Sequence, residues 1–181
     1  MRTIRLMAAL VLVLGVFCGG AEEAVEQPAT PSTPAAGGTL PAAAFEPLTE
    51  AEMDMFIKVL PGVADAIEAA GYKPEEVEGE ELEASIARVV GGMKGVAGVE
   101  DACKKAGTTW DAFSGSMYKV MAGMTALAMD MAVAMAEEMG GDEEVNEELE
   151  KAKAFTAKVP QANKDMIIAH MDELDAMEVL Q

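Results

Sequence analysis

The feature that most restricts the fold is one long helical period in the middle of the chain. The stretch SMYKVMAGMTALAMDMAVAMAEEM, residues 116–139, holds seven methionines in 24 residues. At about 100° per residue, Met117, Met121, Met124, Met131, Met135 and Met139 fall within about 40° of one line. Trp110 and Phe113 extend that line upstream, and Met129 alone departs from it, by about 120°. Lys119, Asp130 and Glu137 cluster on the opposite face, so the helix reads as amphipathic. Thr108 or Thr109 is placed to cap it, and Gly140-Gly141 ends it. A membrane span is not expected, because Asp130 at its middle would cost about 2.5 kcal/mol or more in hydrocarbon.

An apolar stripe at this spacing is normally covered, and the longest helix of a small chain is its natural centre. Packed core is therefore the expectation. Methionine also lines promiscuous binding surfaces, so the same six residues are the candidate binding face.

Around this helix, nearly everything from Leu48 onward has helical period. Leu48-Thr49-Glu50-Ala51-Glu52-Met53 contains a start signal, with Thr49 as cap, Glu52 closing a capping box and Leu48 stapling onto Met53. Met53, Phe56, Ile57, Leu60, Ala64 and Ile67 follow at 3/4 spacing to Gly71, with Pro61 predicting a kink or break near Leu60. A second helix after Pro74 has Leu82, Ile86, Val89 and Met93 as its seam, weakened by Gly91-Gly92. A short third carries Val96, Val99, Cys103 and Ala106. After the long helix, the acidic run Asp142-Glu143-Glu144 suits a helix N-terminus. Val145, Leu149, Ala152 and Phe155 then give way at Pro160 to a last seam of Ile167, Met171, Leu174 and Met177. No convincing strand period occurs. The expected fold is all-α, a single bundle of four to six helices over residues 48–181.

The N-terminal part does not belong to that bundle. Arg2 and Arg5 precede an apolar run at residues 7–17, 11 residues long. That is too short for a helix crossing a bilayer, which needs about 20 residues, so residues 1–18 read as an export signal. Leu14-Gly15-Val16-Phe17-Cys18 resembles the lipobox of bacterial lipoproteins, with Cys18 as the lipidated residue, although that family has a small residue where Phe17 stands. The alternative is ordinary cleavage near Gly19-Gly20-Ala21. Residues 19–47, rich in Ala, Pro, Thr and Glu and without period, read as a disordered tether.

Charge and motif content narrow the function. The full chain has 13 basic and 32 acidic residues, net −19. Without the two leader arginines, 11 basic residues remain and the net charge is −21. Nucleic acid and anionic membrane surfaces would repel such a chain, so membrane association is expected only through the N-terminal lipid. Cys103 lacks an intrachain partner if Cys18 is removed or lipidated, and its seam position predicts an inert buried thiol. Cys103 and His170 are the only conceivable dyad and stand in no catalytic motif. Phosphate loops, covalent haem motifs and EF-hand spacing are absent from the sequence. Neither enzymatic activity nor a cofactor is expected.

Soft-metal binding is the alternative. Thioethers select Cu(I) or Ag(I), and Met166 and His170, four residues apart with Met171 adjacent, are the candidate ligands. His170 lies about 60° from the direction of Ile167, at the edge of the seam. A third reading is a chaperone-like module with an open methionine groove.

Two segments carry a resemblance. GVEDACKKAGTTWDAFSGSMYKVMAGMTALA pairs a short helix with a Trp-led long one, and VPQANKDMIIAHMDELDAM follows later. Together they resemble small, exported, all-helical bacterial proteins of unknown function, over about half of the chain. The resemblance implies export and a helical architecture and transfers no catalytic residue. The reading as a whole is an exported helical bundle in the periplasm or at the outer membrane. It would be lipid-anchored at Cys18 and would bind a protein or small ligand without catalysis.

Overall fold

A computed structural model describes residues 39–74, 77, 80–139 and 143–177. The expected signal, Cys18 and the tether up to residue 38 lie outside the described residues. Regular structure among the described residues is entirely helical. A 3-10 turn at Ala42–Phe45 precedes α1 (Glu50–Ala69), α2 (Leu82–Met93), α3 (Val99–Ala106), α4 (Trp110–Met139), α5 (Glu143–Thr156), α6 (Gln161–Ala169) and α7 (Met171–Ala176). The all-α bundle expected from periodicity is what forms, divided more finely than four to six helices. The C-terminal seam is cut at Pro160, which has no N–H, and again at His170.

The α1 start behaves as its residues dictate. Thr49 Oγ1 accepts from the Glu52 N–H at 3.3 Å, and the Glu52 carboxylate accepts from the Thr49 N–H at 2.8 Å. Leu48 and Met53 are both buried beside this box. Pro61 does not interrupt α1, which continues to Ala69. Buried Val59, Leu60 and Val63 flank it, so packing around the proline offsets one missing backbone donor. Likewise, α2 runs through Gly91-Gly92. A side chain at Gly92 would collide with the Tyr72 hydroxyl, so the glycine makes room for that ring.

Helix α4 is the axis of the bundle. It packs against the 3-10 turn, α1, α2, α3, α5 and α6. Thr109 is the residue that caps it, accepting from the Ala112 N–H at 3.2 Å. Phe113 stacks on Phe56 of α1 with centroids 5.8 Å apart, and Trp110 tilts against Phe113 at 5.9 Å.

The expected polar face of α4 is not a solvent face in its first half. Ser116, Lys119, Val120, Ala122, Gly123 and Ala126 are buried as well as Phe113 and Met117, so no residue from Phe113 to Ala126 is fully exposed. Lys119 is covered by the start of α1. Its Nζ donates to Glu52 Oε1 at 2.7 Å and to the Pro47 carbonyl at 3.1 Å. Asp130 accepts from Lys164 Nζ of α6 at 2.8 Å, and Lys164 is itself buried. The charges that made this face look solvated are instead neutralised by partners distant in sequence.

The boundary of the fold also moves. Composition places residues 39–47 in the tether, yet Leu40 and Ala44 are buried. Phe45 meets Phe155 of α5 edge-on at 6.1 Å, with Lys158 Nζ 5.9 Å from the Phe45 centroid. Leu40, Ala44 and the Phe45 ring give this short segment enough burial to dock, despite its lack of period.

Candidate functional site

The methionine line divides between core and solvent. Trp110, Phe113 and Met117 are buried, and Met121 and Met124 are half-buried. Met131 and Met135 are 50% and 61% exposed. The expectation of a wholly covered stripe is therefore corrected for its second half. The Met139 side chain lies outside the described part. The cause is the length of α4: about 45 Å at 1.5 Å per residue, more than the other elements cover.

Among the described elements, α5 returns along this end. The hairpin is tied by Lys153, whose Nζ lies 3.0 Å from Glu137 Oε1. The half-buried residues here are Met129, Val133 and Ala136 of α4 and Leu149 and Ala152 of α5. Met129, the methionine that leaves the line, thus belongs to the same side of the helix as Val133 and Ala136. Met131 and Met135 are left facing outward on the other side. They form a small apolar strip beside exposed Glu138. Thioethers in this arrangement can make adaptable apolar contact but do not converge on a metal.

The second candidate group is Met166, His170 and Met171. Met166 and Met171 are half-buried and pack against the core. The His170 ring turns to carboxylates: Nε2 lies 3.0 Å from Glu50 Oε1 and Nδ1 lies 3.5 Å from Glu173 Oε2. A Met166–His170 chelate would have to displace one of them. Among the described residues, no group of three His, Cys, Asp or Glu side chains is placed to hold a metal ion. Burial lowers the His170 pKa, but the hydrogen bond to Glu50 and the negative charge of Glu50 and Glu173 outweigh it and leave it above 6.5.

The Cys103–His170 dyad does not form. Cys103 is free and fully buried in α3, and burial pushes its thiol pKa up. A thiol in that state is a poor nucleophile. Neither ring nitrogen of His170 is directed at it: Nε2 meets Glu50, and Nδ1 faces Glu173. The two main surface depressions are shallow. One, between α1 and α3, is flanked by Lys58, Asp65, Asp101 and Lys105; the other lies beside Trp110 and mixes Lys94 and Lys104 with Glu100 and Asp111. Each mixes both signs of charge and is too open to enclose a ligand.

Sequence reasoning missed the buried polar group at Asn163. Its Oδ1 accepts from the Leu48 N–H at 2.7 Å, and its Nδ2 donates to the Glu46 carbonyl at 3.0 Å. The available signal was a polar residue four positions before Ile167 on an apolar seam, where an amide must find partners. Together with Lys119, it fastens the lead-in to α1 onto the bundle, a structural rather than a chemical role.

Neither a family profile, a curated protein nor a solved structure matches this chain.

Proposed function

We propose that this protein is an exported, non-catalytic binding module, held at the periplasmic side of the envelope or the outer membrane by a lipid on Cys18. Its partner is a protein or small ligand taken up at the outward methionines of α4. The observation that carries the binding role is the 50% and 61% exposure of Met131 and Met135 on a helix otherwise used as core. A flexible, polarisable apolar strip in a strongly acidic chain suits adaptable contact. The export signal and the lipobox-like stretch at 14–18 support the location.

Two measurements test the two halves of this reading. Metabolic labelling with a fatty acid should mark the wild-type chain and not Cys18→Ala; labelling independent of Cys18, or none, removes the anchor. A hydrophobic dye should bind the native chain and lose most of its signal in Met131→Ser/Met135→Ser. Equal dye binding by both chains would remove the binding strip. The same exposed residues favour a chaperone-like use of the strip as a second reading. It predicts that the wild-type chain slows aggregation of an unfolded test protein and that the double variant does not.

A further inference from the structure

His170 is the hinge residue between the last two helices. Its N–H donates to the carbonyls of Met166 and Ile167 at 3.1 and 3.2 Å, closing α6. Its own carbonyl accepts from the N–H groups of Glu173 and Leu174 at 3.1 and 3.0 Å, opening α7. The ring, 15% exposed, stands between carboxylates of two elements: Glu50 in the first turn of α1 and Glu173 of α7. Among the described residues, these two are the ring's only ion pairs, and the one with Glu173 is the only one that α7 makes; α6 and α4 contribute none to the ring, and α7 also carries Asp175, whose Oδ1 is buried without a hydrogen bond.

The protonation chemistry of that arrangement is asymmetric. A neutral imidazole has one N–H and one lone pair, whereas an ionised carboxylate only accepts. The neutral ring can therefore satisfy one of the two carboxylates and must turn a lone pair toward the other. Nδ1 shows the strain of this choice, because it is buried with no hydrogen bond at its 3.5 Å separation from Glu173. An imidazolium donates at both nitrogens, and its positive charge also suits the C-terminal end of α6.

We propose that His170 is a proton-operated clasp: when protonated it bridges Glu50 and Glu173 and holds α7 onto the start of α1, and when neutral it releases one side. The segment it holds is short. Helix α7 has six residues and buries Leu174, which is 1% exposed, with Met171 and Met177 partly covered against the core. A helix of that length does not persist by its own hydrogen bonds, so its docking depends on such tertiary contacts. Release would loosen α7 and uncover the apolar site of Leu174.

The raised His170 pKa agrees with this geometry. A group whose folded pKa lies above its unfolded value stabilises the fold fully below the unfolded pKa, near 6.5. That contribution is lost as pH rises through the folded pKa. The clasp is thus closed in mild acid and opens toward alkaline pH.

The chain contains one histidine, so its ring signals can be followed by NMR in the full protein without assignment ambiguity. The ring should titrate above 6.5, and Glu50→Gln and Glu173→Gln should each lower the midpoint. Amide protection factors at Leu174 and Met177 should fall as pH rises through that midpoint, by up to about tenfold per unit of elevation. In His170→Gln this pH dependence should vanish. A ring midpoint at or below the ordinary value, or one unmoved by both Glu variants, would overturn the clasp. An elevated midpoint with flat protection factors would overturn it too, because the charge pair would then hold nothing.

Discussion

Asn163 grips the backbone of Leu48 from 115 positions away in the chain, its Oδ1 accepting the Leu48 N–H at 2.7 Å while its Nδ2 donates to the Glu46 carbonyl at 3.0 Å. Asn163 is fully buried, so no water can replace either bond. Through this amide, α6 helps tie the lead-in to α1 onto the bundle.

Asn163→Ala should therefore destabilise the chain by about 1–3 kcal/mol, because it orphans the buried Leu48 N–H and removes the partner of the part-buried Glu46 carbonyl. Asn163→Asp keeps the acceptor for Leu48 but sets a carboxylate against the Glu46 carbonyl, and should cost at least as much. Urea denaturation measures both. Limited proteolysis should open first at residues 39–48 in either variant, and an unchanged cleavage pattern would contradict the assigned role.

Lys119 and Glu52 form the second tie at this place, with the ammonium almost wholly enclosed. Lys119→Ala leaves the carboxylate without its cation and should cost about 3 kcal/mol, while Lys119→Met keeps the packing and should cost less. Burial raises the Glu52 pKa, but hydrogen bonds from Lys119 and Thr49 together outweigh it and leave the carboxyl below 4.5. A carboxyl with a depressed folded pKa contributes stability above its unfolded pKa and loses it as pH falls through the folded value. The wild-type acid limb, below about pH 4.5, should thus be steeper than that of Glu52→Gln in pH-dependent denaturation.

Gly123 sets the distance between α4 and α6. A Cβ at this position would overlap the Ile167 Cδ1 atom, so the end of this fully buried side chain would have to shift within the core. Gly123→Ala should lower stability by about 1–3 kcal/mol, even though alanine is the better helix former. Gly115 on the same helix meets nothing within 4 Å, and Gly115→Ala should be neutral or stabilising. Paired thermal denaturation of the two variants separates close approach from helix propensity.

Local signals carried much of the architecture. The capping box at Thr49 and Glu52, the cap at Thr109 and the glycine stops all act within a few residues, so periodicity and capping place them. Cys103 sits on the buried seam that its spacing indicated. Pro61 does not bring the break that the local rule allows beside a kink: its buried neighbours on both sides keep the helix continuous.

The sequence by itself determined that this chain is a set of helices, that α4 is the longest, and that Met117 and Met131 share one line on it. Backbone hydrogen bonding and side-chain spacing settle those properties within a turn or two. Only the tertiary structure decided that Met117 is core and Met131 is surface, that Lys119 is buried, and that His170 stands between Glu50 and Glu173. Burial is a property of what arrives from elsewhere in the chain. A residue's face follows from its number along the helix, whereas its cover depends on which neighbours arrive there, and the described elements leave Met131 and Met135 uncovered.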